Sequence, residues 1–267
     1  MTSADSSPLP ARDSGDLATR MSRLLRLSVG GAAGGSILLY ALLVLLRIGY
    51  PFELETFEGL TADHVSRILN GLPIYVAPSV DFVSNIYPPL FYYLAAGPAW
   101  VWGVNLWVLR LVSVFASAGC LGILYKYVHR ETASRYYGLL SAGFYAATYG
   151  ICVGWFDVAR VDSLYLFFLL AGVYGLRFQK TPRGGILTGV LLALAAFTKQ
   201  TAFSAILPVL AVVTLARPRQ TLWCLGTFVL LLGSGSALLD HLHEGGWYRT
   251  YVLAHLTQHA LRPGQGL

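Results

Sequence analysis

The chain has 267 residues, 55% of them hydrophobic and only 12% charged, with a formal net charge of +6. An ordinary globular domain carries about 25% charged residues, so the composition excludes a soluble protein and points to a membrane protein. The basic residues sit in separate short loops rather than on one aromatic-flanked stripe, which speaks against nucleic acid as a partner.

Residues 1–26 are polar, with Ser, Pro and several arginines, and are expected to form a disordered cytoplasmic tail. The stretch from Leu27 to Leu46 is uncharged. It is long enough to cross roughly 30 Å of hydrocarbon as a helix. It is too long for a signal-peptide core and lacks a small-residue cleavage site, so it reads as an uncleaved anchor.

The residues that follow, 49–106, form the first outer loop. It opens on Glu53, Glu55 and Glu58, three carboxylates at the edge of an apolar span. Acids are costly beside a bilayer, so the cluster suggests a site. Residues 59–70 have helical spacing, with Ala62, Val65, Ile68 and Leu69 on one face and Asp63, His64 and Arg67 off it. Such a helix is expected to lie flat on the membrane surface. Glu58 falls at its N-terminus, where the helix dipole favours a carboxylate. Leu90–Val104 is apolar, but Pro88-Pro89 and Gly97-Pro98 are helix breakers. It is read as an interfacial or re-entrant helix within the outer loop.

Spans are placed near 27–48, 107–127, 136–154, 163–178, 186–198, 201–216 and 221–239. Together they make an all-α polytopic membrane bundle of about seven transmembrane helices, the domain running over 27–239. With the N-terminus in the cytoplasm, 12 of the 19 Lys and Arg residues fall inside, as the positive-inside rule favours. The acidic loops then face outward together, and 240–267 is an outer loop that reads as truncated. Cys120, Cys152 and Cys224 are isolated in apolar stretches and lack metal-ligand spacing.

Two further patches join the glutamates. Asp157 to Asp162 places Arg160 between two acids; the segment is either a structural ion pair or a carboxylate and guanidinium able to hold a phosphate. Thr198-Lys199-Gln200 interrupts a long apolar stretch and reads as a bend at the outer surface, with Lys199 as a point charge for an anionic headgroup. Asp240, His241, His243 and Glu244 follow the last span. Their H-x-H spacing is more often merely polar than metal-binding, so no metal ligand is assigned.

In order, these pieces resemble the GT-C superfamily of polytopic glycosyltransferases, family-39 type. Its nearest branch is that of the protein O-mannosyltransferases and the bacterial lipid A aminoarabinose transferase. The residues that carry the likeness are Phe57-Glu58-Gly59 through Asn70-Gly71, then Tyr87-Pro88-Pro89-Leu90-Phe91-Tyr92-Tyr93, then Gly103 and Arg110. Asp162-Ser163-Leu164 and Ala195-Ala196-Phe197-Thr198-Lys199 complete it. Two positions depart from the branch: Phe57 replaces the first acid of its Asp-Glu pair, and Tyr87 replaces a basic residue before Pro-Pro.

The resemblance implies an inverting transferase of the plasma (inner) membrane. It would move a sugar from a polyprenyl-phosphate donor to a hydroxyl of a protein, lipid or glycan acceptor on the extracytoplasmic face. It requires no cofactor, and a divalent metal stays open. Glu58, with Glu55 as second choice, is the expected general base. Asp162, Arg160, Asp157, Lys199, Tyr87 and His64 are the expected substrate-binding residues. A secondary transporter and a non-catalytic scaffold or fragment are the alternatives. A transporter would hold ionisable groups near the bilayer midplane, not at span ends.

Overall fold

The computed structural model describes residues 13–254. Among them there is no strand. The helices are α1 (Asp13–Arg47), α2 (Phe57–Leu69), α3 (Leu90–Trp102), α4 (Leu106–Thr132), α5 (Arg135–Ala147), α6 (Val161–Phe178), α7 (Pro182–Thr198), α8 (Phe203–Ala216) and α9 (Pro218–Leu242). Short turns of helix follow α9 as far as Ala254. Four segments are long and apolar enough to cross a membrane: Leu17–Arg47, Leu106–Thr132, Val161–Phe178 and Thr221–Leu242.

The spanning helices pack side by side as a bundle. α5 lies between α1 and α4, α4 also packs on α6, and α7 fits between α6 and α9. Small residues set the closest approaches. A Cβ on Gly143 of α5 would come within 2.5 Å of the Ala33 Cα of α1, and one on Gly189 of α7 would come equally near the Cys224 carbonyl of α9. Helices in lipid approach through such small residues, because apolar burial alone does not drive them together there.

The elements differ from expectation in four places. Residues 13–26 continue α1 as helix rather than belonging to a disordered tail, since no Pro lies within them and Gly15 falls in the first turn, where a helix tolerates it; residues 1–12 of that tail lie outside the described residues. The span expected over 136–154 ends at Ala147, where turns with left-handed backbone at Val153 and Gly154 replace the helix. α3 runs through Pro98, so Gly97-Pro98 does not break it. The α2 face turned inward is Glu58, Thr61, His64 and Val65, and not the apolar set that includes Leu69. α2 therefore buries polar groups against α3 and α4, where hydrogen bonds hold them. Of the expected outer loop 240–267, residues 255–267 lie outside the described residues.

Candidate functional site

Everything chemically notable gathers at the end of the bundle where α1 finishes and α4 and α6 begin. The most deeply buried ion pair there joins α4 to α2. Arg110, in the second turn of α4, is fully buried and bonds the equally buried Glu58 through Nε to Oε1 at 2.8 Å and Nη2 to Oε2 at 2.7 Å. The backbone N–H groups of Leu54 and Ala159 donate to the same carboxylate at 2.7 and 2.8 Å. Arg110 also donates to the carbonyls of Tyr50 and Phe52 at 2.6 and 2.8 Å. One ion pair thus ties the chain after α1, the start of α2, α4 and the segment before α6. Burial pushes the Glu58 pKa up, but the Arg110 bonds and the two amides outweigh it and hold it below its ordinary value.

Above this staple runs a chain of four alternating charges. Arg160 Nη1 meets Glu55 at 2.7 Å, and its Nε donates to Asp162 at 2.9 Å. The other Asp162 oxygen accepts from Lys199 Nζ at 2.6 Å. The Arg160 guanidinium lies 4.0 Å from the Trp155 ring and 4.8 Å from the Phe57 ring, close enough for both to attract the cation. Lys199 sits 5.4 Å from the Tyr87 ring centroid and 5.5 Å from that of Tyr165. Burial lowers the Arg160 pKa, while Asp162 and Glu55 raise it further and set the net direction upward.

Local backbone explains these positions. Lys199 is extended between α7 and a short 3-10 turn, the bend expected from Thr198-Lys199-Gln200. Gln200 Nε2 then donates to the Ile86 carbonyl at 2.8 Å, which fixes the strand of loop carrying Tyr87. Arg160 is the extended N-cap residue of α6, and Asp162 lies in that helix's first turn. Ser113 of α4 donates to the Arg160 carbonyl at 3.1 Å.

Five of the eight expected residues, Glu55, Tyr87, Arg160, Asp162 and Lys199, therefore meet in one patch. Glu55 is 20% exposed, Asp162 17% and Lys199 15%, so the patch has a solvent edge. The other three are enclosed. Glu58 is saturated as described. His64 is fully buried, with Nδ1 donating to the Leu60 carbonyl and Nε2 accepting from the Asn85 amide, so neither nitrogen is left for a substrate. Burial drives its pKa down to about 4. Asp157 faces Arg47 at 3.6 Å and accepts from Tyr149 at 3.0 Å, rather than pairing with Arg160. Burial raises its pKa against the pull of Arg47.

Arg110, named above only for its part in the family resemblance, is also legible as a partnered group: it is the one charge in an otherwise apolar run from Leu106 to Tyr125. Trp155 carries no signal beyond being aromatic, and Phe57 stands out only as the departure from the family's Asp-Glu pair. Among the described residues no three His, Cys, Asp or Glu side chains converge as metal ligands. His243 is instead buried against Tyr75, and His241 is exposed.

The family model for dolichyl-phosphate-mannose-protein mannosyltransferases matches residues 87–239, more than half of the chain. The chain belongs to this family. Membership makes it a polytopic membrane glycosyltransferase of GT-C type. The matched span holds Tyr87, Arg110, Arg160, Asp162 and Lys199, while Glu55, Glu58 and His64 precede it. No curated protein and no solved structure matches the chain.

Proposed function

We propose that this mannosyltransferase-family protein moves a sugar from a polyprenyl-phosphate donor to an acceptor hydroxyl at the patch formed by Glu55, Arg160, Asp162 and Lys199. The observation that carries the reading is the Asp162–Lys199 contact at 2.6 Å beside the Arg160–Glu55 contact at 2.7 Å. Two cations and two carboxylates stand together where α6 begins and α7 ends, a level this reading assigns to the lipid headgroups. In this proposal the patch lies on the extracytoplasmic face of the inner membrane, because α1 delivers its C-terminal end there and the basic loops collect at the other end.

The patch has donors to offer a phosphate. Arg160 uses Nε and Nη1 on its two acids, leaving Nη2. Lys199 uses one of three N–H groups on Asp162. As the bond from the anomeric carbon to phosphate oxygen breaks, its electron pair passes to that oxygen, and Lys199 and Arg160 stabilise the charge. Glu55, as the carboxylate at the patch edge, takes the proton from the attacking hydroxyl. Attack opposite the leaving phosphate inverts the anomeric centre. Asp162 holds both cations in place, and Tyr87 flanks Lys199.

Glu55 rather than Glu58 takes the base role here. A base must give up a lone pair to the substrate, and both Glu58 oxygens already accept two hydrogen bonds each. Glu58 then acts as a positioning residue that sets the loop carrying Glu55. The test is transfer of radiolabelled mannose from polyprenyl phosphate in membranes containing the Lys199→Gln chain. Loss of transfer with normal protein level supports the assignment, and unchanged transfer removes it.

A further inference from the structure

At the opposite end of the bundle, α4, α6 and α8 leave an apolar slot of about 280 Å³. Its walls include Leu176, Val209 and Val212, and Arg177 and Arg217 also line it. Arg177 ends the helix whose first turn holds Asp162, so the slot lies one helix length from the charged patch. An 18-residue helix spans about 27 Å, close to the thickness of a bilayer core.

The two arginines are not equivalent. Arg177 is paired with Glu131 at 2.6 Å. Arg217 is exposed, at the junction of α8 and α9, and no acid pairs with it among the described residues. Behind it, α9 begins at Pro218, so the N–H groups of its first turn add positive potential at the same point. Arg130 stands close by, its guanidinium 4.4 Å from the Phe178 ring and hydrogen-bonded to Tyr174 at 3.1 Å. Lys180 lies in the α6–α7 connection, and Arg183 and Arg219 in the first turns of α7 and α9.

We propose that this slot binds one anionic phospholipid, with an acyl chain along Leu176, Val209 and Val212 and the phosphodiester on Arg217. Charge complementarity selects this occupant. A zwitterionic lipid would set its own cation against Arg217, and a free phosphate would leave the apolar walls unfilled. Basic pockets between transmembrane helices recognise acidic headgroups in this way. The site is independent of the sugar-transfer reading, and its test does not use activity.

The purified full chain in neutral detergent is titrated with dioleoyl phosphatidylglycerol, dioleoyl phosphatidylcholine or inorganic phosphate. Bound lipid is followed by native mass spectrometry and the melting temperature by intrinsic fluorescence. The expected result is one tightly retained phosphatidylglycerol that raises the melting temperature, with neither effect from phosphatidylcholine or phosphate. Arg217→Gln, at an exposed position, weakens retention by about fivefold. Val212→Trp, at a second exposed position, fills the slot and abolishes retention. Equal retention of the zwitterionic lipid, protection by phosphate alone, or wild-type retention in Arg217→Gln would each overturn the proposal.

Discussion

Arg110 and Glu58 lie 52 residues apart in sequence and meet through two short hydrogen bonds, both side chains entirely out of solvent. Removing one partner leaves a charge buried alone, which typically costs about 3–5 kcal/mol, whereas the pair itself contributes less. Arg110→Leu and Glu58→Gln are therefore expected to fold poorly, with melting temperatures in detergent well below wild type. The double variant Glu58→Gln/Arg110→Leu should recover part of the loss, because no buried charge remains. A wild-type melt in either single variant would show that this ion pair does not hold the outer layer together.

Lys199 and Asp162 behave differently, since both keep a solvent edge and removing either leaves no buried charge alone: the buried Arg160 keeps Glu55. Lys199→Gln should retain the wild-type melt and lose about a hundredfold in transfer, the usual cost of deleting one charge-stabilising donor. Asp162→Asn should lose less. The double variant should fall short of the product of the two, because the residues act as a unit. Independent, multiplicative losses would mean that the 2.6 Å contact is incidental to transfer.

His64 predicts an acid limb in the stability profile. Its folded pKa of about 4 lies below the ordinary 6.5, so the unfolded chain binds the proton more readily between those values. The stability it contributes is complete above pH 6.5 and is lost as pH falls toward 4. The whole effect is about 3 kcal/mol. Glu58 adds a second loss at still lower pH, because its depressed folded pKa contributes stability above the unfolded value and loses it as the pH falls through the folded one. Melting temperatures of His64→Gln between pH 7 and 4 should slope less than those of wild type; identical slopes would show that His64 is not the group that titrates.

Much of this arrangement is legible in the sequence, and the exceptions have physical causes. Apolar run length places seven helices near their observed positions, because lipid leaves a spanning chain few options beyond a helix. Lys199 is visible as a bend, since a charge and an amide split an apolar stretch. What spacing does not reveal is which acid meets which base. Glu58 looks like a reactive carboxylate because acids are costly at a membrane edge, but the same cost is met by a buried partner 52 positions away. The helical periodicity of α2 misleads for a related reason. Its inward face carries Glu58, Thr61 and His64, whose partners lie on α4 and in the segments around Ala159 and Asn85.

The central claim is that Glu55 performs the proton transfer while Glu58 holds the frame, and one substitution tests it most directly. Glu55→Gln keeps size and shape at a partly exposed position and removes the basic oxygen. Transfer of radiolabelled mannose from polyprenyl phosphate should be measured in proteoliposomes or native membranes alongside the melting temperature. The account predicts an unchanged melt with transfer reduced at least a hundredfold, within the range expected for loss of a positioned general base. Transfer at the wild-type rate in the folded Glu55→Gln protein would contradict it.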